Sequence, residues 1–238
     1  MRYNTYLFDF DGTLVDSMPS YVSVMLRILD ENGVAYTDDI IKIITPLGYT
    51  GTANYYIEKL GLALPVETIV AQMNRYAYDE YAYHIGAKSN VIEVLRKLKA
   101  EGADLHVLTA SPHSVLDVCL ARLGILDLFT NVWSCDDFAT TKADPEIYRM
   151  AAERIGKPIH EILFLDDNYN ADKTAVSAGM RVCGVYDDSS RAYTDEIKSV
   201  AHHYVKDFSE LLTLSKKSTA EAVLFYLLIA CRSEKPSV

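Results

Sequence analysis

Two aspartates stand directly after the first apolar run of the chain. Asp9 and Asp11 follow residues 5–8, which have the composition of a buried strand, and Gly12 beside them allows a sharp turn. Carboxylates this close repel one another unless a metal ion or a shared proton lies between them. An isolated Asp-x-Asp is more often an acidic turn, and this spacing does not fit a calcium loop of the EF-hand type. A metal explains the pair better than a shared proton does.

A hydroxyl group and an ammonium group precede two later helix starts. Thr109 and the N–H of Ala110 follow an apolar run just before a helix, a place suited to holding a phosphate oxygen. We interpret Ser111 as the N-cap of that helix. Lys142 precedes the helix that begins near Pro145, and its ammonium could offset the charge on a transferring phosphoryl group. Most lysines at such places are simply solvated, so either feature alone is weak.

A second acidic pair ends the apolar run at residues 162–165. Asp166 and Asp167 would join Asp9 at one edge of a sheet, because ligand sites of open α/β sheets lie at the carboxyl ends of the strands. Clustered carboxylates form the hard, oxygen-rich kind of site that Mg²⁺ prefers. The four features in this order, each at a strand end, indicate a site for phosphoryl transfer.

The elements that position these residues follow an alternating pattern. Short apolar runs bounded by turn residues alternate with stretches of helical period, which predicts an α/β fold with a doubly wound, mainly parallel, Rossmann-like sheet. Glycines just past the predicted helix ends support this interpretation. The predicted strands are residues 5–8, 104–108, 131–134, 162–165 and 181–185.

The first crossover is too long for a simple strand-helix-strand unit. Roughly ninety residues separate the first two predicted strands, where such a unit needs about 30 in all. Apolar stripes of helical period in this segment predict a helical cap at residues 16–85, inserted between the two parts of the catalytic core, residues 1–15 and 86–214. Residues 215–238 are predicted to form a C-terminal helical tail of unknown role. Its apolar run, residues 222–231, is about half of the ~20 residues that a membrane span needs.

Charge and cysteine content exclude several classes of function. A formal net charge of −10 and a pI near 5.0 argue against nucleic acid or an anionic membrane as partner. The four cysteines have neither metal-ligand spacing nor the density of a disulfide scaffold, which indicates a reducing compartment. We therefore expect a cytoplasmic protein. The motifs above indicate a small phosphorylated metabolite as its partner, and a monomer and a homodimer both stay open.

With these motifs, the chain resembles the haloacid dehalogenase superfamily, in the phosphatase-like branch that carries a helical cap. The resemblance covers about residues 3–187. It rests on Asp9-Phe10-Asp11-Gly12-Thr13, Thr109, Lys142 and Asp166-Asp167, a combination that is specific although no single part is.

The resemblance implies a role for each matching residue. Asp9 would be the nucleophile that forms an aspartyl-phosphate, and Asp11 would be the general acid and base. Thr109, the N–H of Ala110 and Lys142 would bind the phosphoryl oxygens. The cap would open and close over the site.

The resemblance also implies a magnesium cofactor. Its ligands would be the Asp9 carboxylate, the backbone carbonyl oxygen of Asp11 and Asp167, with Asp166 assisting from outside the coordination sphere. The family often has Asp or Asn a few residues after the metal-binding acid, whereas this chain has Ala171 there.

Three functions stay open at this point. The first is Mg²⁺-dependent hydrolysis of a small phosphomonoester, and the second is a sugar phosphomutase similar to β-phosphoglucomutase. The third is a non-catalytic module that binds metal and phosphate. The predicted loop at residues 45–51, which by analogy faces the substrate, carries no cation, and this disfavours a mutase that must grip a second phosphate. A dehalogenase is less favoured, because its relatives lack the second acid that Asp11 supplies.

Overall fold

The computed structural model describes residues 3–37 and 39–214. In this part of the chain, six strands form one sheet in the order β3-β2-β1-β4-β5-β6, and every neighbouring pair is parallel. The predicted doubly wound parallel sheet is therefore confirmed. The strands β1 to β6 are Thr5–Phe8, Asp104–Thr109, Asn131–Ser134, Ile162–Asp166, Arg181–Val185 and His203–Val205.

Helices fill most of the remaining described chain. One π turn spans Glu80–His84. The α-helices, numbered α1 to α9 in chain order, are Met18–Glu31, Ile40–Ile44, Gly48–Leu60, Val66–Asp79, Val91–Ala100, His113–Arg122, Pro145–Ile155, Tyr169–Ala178 and Thr194–Val200. Short 3₁₀ turns are Thr45–Leu47, Leu126–Leu128, Cys135–Phe138, Ile159–Glu161, Arg191–Tyr193 and Phe208–Glu210.

The central strand β1 is buried on both faces. Tyr6 and Phe8 pack into one hydrophobic cluster together with α5 and α6, whereas Leu7 packs into a second cluster with α7 and α8. Side chains of a strand alternate between the two faces of the sheet, so a short run of consecutive apolar residues is what a doubly covered parallel sheet requires. This explains why apolar runs in the sequence located the central strands well.

The first four helices after β1 form a third hydrophobic cluster. It consists of buried side chains from α1 to α4, with Met25, Tyr56 and Met73 among those fully enclosed. The Tyr56 hydroxyl donates a hydrogen bond to the Met25 carbonyl oxygen at 3.0 Å, which satisfies the polar end of a buried ring. The π turn behaves differently, because Tyr81 and Ile85 pack with the sheet cluster. The cap at residues 16–85 stays a prediction. If packing alone defined its boundary, the cap would end before Tyr81.

Two linkers connect the sheet to this helical segment. Residues 14–16 and 86–88 run antiparallel and are joined by a bridge between Val15 and Ala87. Two backbone hydrogen bonds of 3.0 Å reinforce the bridge, from Asp16 N to Gly86 O and from Lys88 N to Leu14 O. The linkers are therefore paired with one another where they leave the sheet.

The segment at residues 45–51 is helical, and its prediction as a loop is wrong. The 3₁₀ turn Thr45–Leu47 is followed directly by α3. Gly48 between them has a φ of 65°, which other residues adopt only with strain, so it permits the change of direction without a loop. The buried Thr52 hydroxyl then donates to the Ile44 carbonyl oxygen at 3.2 Å and joins α3 to the end of α2.

Strand β6 was not predicted from the sequence. It has three residues, of which only Val205 is buried, so it gives no apolar run. The predicted tail at residues 215–238, with its apolar run at 222–231, lies outside the described residues. In the part that is described, no helix is both long enough and apolar enough to cross a bilayer. Cys119, Cys135 and Cys183 are buried free thiols.

Candidate active site

Three buried carboxylates meet at the carboxyl edge of the sheet. Asp9 follows β1, Asp166 is the last residue of β4, and Asp167 comes next. Each can offer one oxygen such that the three oxygens lie within 4.8 Å of one another. The sheet brings them together because β1 and β4 are parallel neighbours that end at the same level, with Phe8 opposite Leu165.

Lys142 supplies the positive charge at this edge. Its Nζ donates to Asp9 Oδ1 at 2.5 Å and to Asp166 Oδ2 at 2.7 Å. The Tyr148 hydroxyl, one turn into α7, donates to the Lys142 carbonyl oxygen at 3.2 Å and fixes the backbone from which the side chain extends. One ammonium therefore faces three carboxylates, and negative charge is in excess.

Burial and crowding shift the pKa values of these groups. Burial raises the pKa of Asp9 well above its usual range; the Lys142 ammonium opposes this shift, and the neighbouring carboxylates add to it. Burial and the nearby Asp166 raise the pKa of Asp167 to about 8. Burial alone would lower the pKa of Lys142, but the Asp166 and Asp9 carboxylates outweigh it and hold that pKa well above normal. Without a further cation, the site therefore disfavours the state in which all three carboxyl groups of the cluster are ionised.

The donor set fits a hard divalent cation. Both oxygens of Asp166 accept hydrogen bonds, Oδ2 from Lys142 and Oδ1 from the Asn168 N–H at 2.7 Å. Asp167 accepts one from the Thr13 hydroxyl at 3.2 Å, and Asp9 accepts one from Lys142. Carboxylate oxygens with excess negative charge are what Mg²⁺ requires. Asp9 and Asp167 are the better placed ligands, since Asp166 is already committed at both oxygens.

Gly12 is required between the two acidic motifs. Its φ is 75°, and a Cβ built on it would lie 2.7–2.8 Å from three atoms of the Asp167 carboxylate group. Any larger residue would push this carboxylate out of the cluster. The turn after Asp11 and the position of Asp167 are therefore directly linked.

The Asp11 carboxylate lies apart from the cluster of three carboxylates. Its Oδ1 accepts hydrogen bonds from Ser17 Oγ at 2.7 Å and from the Tyr81 hydroxyl at 2.5 Å. Its Oδ2 accepts one from Ser111 Oγ at 2.5 Å. Three hydroxyl donors hold this side chain and use both of its oxygens, which disfavours metal binding through the Asp11 carboxylate.

The interpretation of Ser111 as a helix cap is wrong. Helix α6 begins at His113, and Pro112 occupies the N-cap position in an extended conformation with a ψ of 154°. Extended backbone at the proline separates Ser111 from the helix by one residue and leaves its hydroxyl for Asp11. A Ser-Pro pair before an apolar period is ambiguous between these two arrangements.

Ser17 and Tyr81 were not singled out from the sequence. Ser17 is six residues from Asp11, but Tyr81 is seventy residues away and reaches it from the π turn. The Tyr81 ring stacks on Phe10 at 5.9 Å between centroids, with 24° between the planes. π turns are rare and are frequently found at functional sites, yet nothing in a single sequence locates one.

The predicted phosphate-binding residues lie at the end of β2. Thr109 is buried, and its Oγ1 accepts a hydrogen bond from the Ser111 N–H at 3.0 Å. Ala110 is exposed in the bend beyond the strand. Their contact with a phosphoryl group stays a prediction.

Comparison with known proteins identifies the family. A model of the haloacid dehalogenase-like hydrolases matches residues 6–185, which is most of the chain. The chain belongs to this family. The resemblance inferred from the four motifs is thereby confirmed, and the protein is a member of a hydrolase family.

Curated members of the family align over most of their length. Pyrophosphatase PpaX of Bacillus velezensis is 27% identical over 186 residues, which are 77% of this chain and 83% of that protein. A phosphoglycolate phosphatase of Cereibacter sphaeroides is 28% identical over 74% of this chain and 81% of its own length. A phosphorylated carbohydrates phosphatase of Thermotoga maritima is 25% identical over 75% and 83%.

Solved structures of family members share the fold. A candidate β-phosphoglucomutase from Thermotoga maritima superposes with a TM-score of 0.78 at 23% identity, covering 91% of this chain and 99% of that one. CbbY from Rhodobacter sphaeroides, in complex with phosphate, gives a TM-score of 0.70 at 21% identity, covering 88% and 96%. At these identities the likeness establishes the architecture alone.

Ala171 stands where the resemblance leads us to expect Asp or Asn. Its carbonyl oxygen accepts a hydrogen bond from the Tyr148 hydroxyl at 3.1 Å, and its N–H donates to Asn168 Oδ1 at 3.2 Å. The acid beside it, Asp172, is fully buried, and neither of its oxygens has a hydrogen-bond partner in the described part of the chain. Burial raises the pKa of Asp172 well above its usual range. Asp172 is therefore not a simple substitute for the missing residue.

Proposed function

We propose that this protein is a Mg²⁺-dependent phosphatase that transfers the phosphoryl group of a small phosphomonoester to Asp9 and then to water. One observation carries the proposal. Lys142 Nζ lies 2.5 Å from Asp9 Oδ1, within a buried cluster that also contains Asp166 and Asp167. The carboxylate proposed as nucleophile, a cation and two further carboxylates thus share one small volume.

Asp9 and Asp11 divide the chemical steps. A carboxylate oxygen of Asp9 attacks phosphorus while the bond from phosphorus to the leaving oxygen breaks, and Asp11 donates a proton to that oxygen. Asp11 then takes a proton from water as the water oxygen attacks the phosphorus of the aspartyl-phosphate. This attack releases inorganic phosphate and restores the Asp9 carboxylate. Ser17, Tyr81 and Ser111 keep the Asp11 carboxyl group oriented between the two steps.

The carboxylates of Asp9 and Asp167 and the carbonyl oxygen of Asp11 would hold magnesium, with Asp166 outside the coordination sphere. When bound, the ion offsets charge on the phosphoryl oxygens and removes the repulsion between the ligands. Thr109 and the N–H of Ala110 bind the same oxygens. Lys142 completes the set, since positioning and charge compensation account for most of phosphoryl-transfer catalysis.

Two features support a substrate with a single phosphate over the bisphosphate that a sugar phosphomutase needs. Residues 45–51 contain no Lys or Arg. Two partly buried lysines near the site already have carboxylate partners, Lys142 in the cluster and Lys88 with Asp187 at 2.8 Å. Within the described residues, neither lysine is left unpaired for a second phosphate, so hydrolysis is favoured over phosphoryl return.

Among the described residues, a cavity linked to the active-site turn only through Lys88, which lines it and donates to the Gly12 carbonyl oxygen, supports an uncharged, hydroxyl-bearing leaving group. Its volume is about 670 Å³, and it lies between α1 and α2 on one side and the loop after β5 on the other. Met18 and Ile41 contribute apolar wall. Asp16, Asp187 and Asp188 contribute carboxylates, and Lys88, which also lines the cavity, pairs with Asp187. Acidic walls repel anions and accept hydrogen bonds from hydroxyl groups. A sugar or polyol phosphate fits these walls better than pyrophosphate, the substrate for which one relative is named.

A screen of phosphorylated metabolites with and without Mg²⁺ tests the proposal. Phosphate release from sugar and polyol monophosphates should require Mg²⁺ and vanish in Asp9→Asn, while the variant keeps the parental circular dichroism spectrum. Phosphate release at the parental rate by Asp9→Asn would overturn the covalent mechanism. Isomerised product that forms only with a sugar bisphosphate would establish the mutase, and tight phosphate binding without turnover would establish the non-catalytic module.

A further inference from the structure

Lys88 joins three separate segments of the chain through its ammonium group. Nζ donates to the Gly12 carbonyl oxygen at 2.6 Å, to the Tyr186 carbonyl oxygen at 2.6 Å and to Asp187 Oδ2 at 2.8 Å. An ammonium has three protons, so all of its donors are used. The Lys88 side chain is 19% exposed and that of Asp187 is 6% exposed, and the contacts are therefore well shielded from water.

The Gly12 peptide is the contact that reaches the active site. Its carbonyl oxygen is held by Lys88, and its N–H donates to the Val15 carbonyl oxygen at 3.0 Å. Its Cα faces Asp167 so closely that a Cβ there would collide with the carboxylate. The Gly12 N–H lies in the same peptide unit as the Asp11 carbonyl oxygen, and the Gly12 carbonyl oxygen lies in the next unit, so a displacement of Gly12 as a whole shifts the Asp11 carbonyl oxygen or the Asp167 carboxylate.

Lys88 also belongs to the second linker to the helical segment. Its own N–H donates to the Leu14 carbonyl oxygen, just after the turn that Gly12 makes. The side chain thus spans from this linker across the turn to the loop after β5. A residue in this place can fix the turn at Gly12 independently of the other helices in the segment.

We propose that Lys88 is a positioning residue for the metal site, acting through the Gly12 peptide on Asp167 and on the Asp11 carbonyl oxygen. The inference rests on the proposed function, which supplies the magnesium. In its simplest alternative, Lys88 only neutralises the buried Asp187 and stabilises the fold. The two ideas differ in what should happen when Asp187 loses its charge together with Lys88.

Three variants separate these ideas: Lys88→Met, Asp187→Asn, and the double variant. Lys88→Met leaves a buried carboxylate unpaired and should lower the melting temperature. In the double variant this unpaired charge is absent, so stability should recover. Mg²⁺ binding is then measured without substrate, by calorimetric titration and by the rise in melting temperature as MgCl₂ is added.

The expected result is a separation of stability from metal affinity. Lys88→Met and the double variant should both bind Mg²⁺ about 10- to 100-fold more weakly than the parent, the usual range when a residue behind a metal ligand is removed. Asp187→Asn keeps the Lys88 contact to Gly12 and should bind Mg²⁺ as the parent does. Parental Mg²⁺ affinity in the double variant would overturn the proposal. If the parent itself binds no Mg²⁺, the metal site of the proposed function fails first, and the two failures are therefore distinguishable.

Discussion

Lys142 Nζ lies 2.5 Å from Asp9 Oδ1 and 2.7 Å from Asp166 Oδ2, in a site from which water is largely excluded. The contact reaches across 133 residues of sequence and joins the helix start after β3 to the tips of β1 and β4. In the proposed mechanism, this ammonium offsets the negative charge of the Asp9 carboxylate in the resting enzyme. During transfer it offsets the charge on the phosphoryl oxygens.

Replacing Lys142 by methionine should remove this compensation while keeping most of the side-chain volume. We expect kcat/KM for an aryl phosphate to fall by about 10²- to 10³-fold, the loss seen when one preorganised donor to a developing charge is removed. Lys157→Met, at an exposed position, is the matched control and should have parental kinetics. Equal rates in both variants would exclude a role for Lys142 in transfer.

The hydroxyl contacts to Asp11 predict a graded series of effects. Asp11→Asn should lose about 10²- to 10⁴-fold in kcat, because general acid and base assistance disappears. Ser111→Ala removes one of three hydrogen bonds and should lose less, whereas the exposed Ser177→Ala should lose nothing. Steady-state kinetics with a poor leaving group gives the clearest separation. A parental rate for Asp11→Asn would remove Asp11 from its proposed role.

Magnesium should stabilise the parent and not Asp167→Asn. A ligand at 100 times its Kd stabilises the folded state by about 2.7 kcal/mol, and Asp167 is a proposed ligand. Without metal, the variant should be at least as stable as the parent, because burial and Asp166 disfavour the charged form of Asp167. Thermal unfolding with EDTA and with MgCl₂ measures both effects, with the exposed Asp127→Asn as control. An equal gain in parent and Asp167→Asn would place the metal elsewhere.

Asp172 predicts a pH dependence of stability. Its folded pKa is raised well above the ordinary value of 3.8, so the folded state holds a proton that the unfolded state releases. The unfolded state therefore binds fewer protons, and stability falls as pH rises through this window. Asp172→Asn cannot ionise, so between the ordinary pKa and the raised folded pKa its stability relative to the parent should rise with pH, by at most about 1.4 kcal/mol per pH unit.

Urea unfolding at a series of pH values from about 4.5 upward, in EDTA, checks this slope. The exposed Asp195→Asn serves as control and should track the parent. The buried amide of Asp172→Asn lowers the free energy of unfolding by the same amount at every pH. It therefore does not alter the dependence of the stability difference on pH. A difference between Asp172→Asn and the parent that does not change with pH would show that Asp172 is ionised in the folded protein.

The central sheet and the acidic cluster could be predicted because both depend on local rules. A run such as residues 162–165 is apolar on both faces only in a covered parallel strand, and parallel strands all end at the same edge of the sheet. The residues just after β1 and β4 were therefore expected to meet, and Asp9, Asp166 and Asp167 do so. Strand β6, with one buried residue, left no such signal.

The surroundings of Asp11 could not be predicted because they depend on tertiary structure. Tyr81 reaches Asp11 from a π turn that no propensity reveals, and Ser111 is freed by an extended proline that could equally have begun the helix. Lys88 was unremarkable in the sequence, because its partners lie 76 and 98 residues away. Long-range contacts of this kind need the folded chain.

The covalent role of Asp9 is tested most directly by trapping the intermediate. The enzyme is mixed with substrate and Mg²⁺, quenched in acid within the first turnover, digested, and analysed by mass spectrometry. The account predicts phosphate on the peptide that contains Asp9. With an aryl phosphate, whose leaving group needs little protonation, the amount should increase in Asp11→Asn, because attack by water is slowed more than formation of the intermediate. Phosphate on another residue, or none under conditions of full turnover, would contradict it.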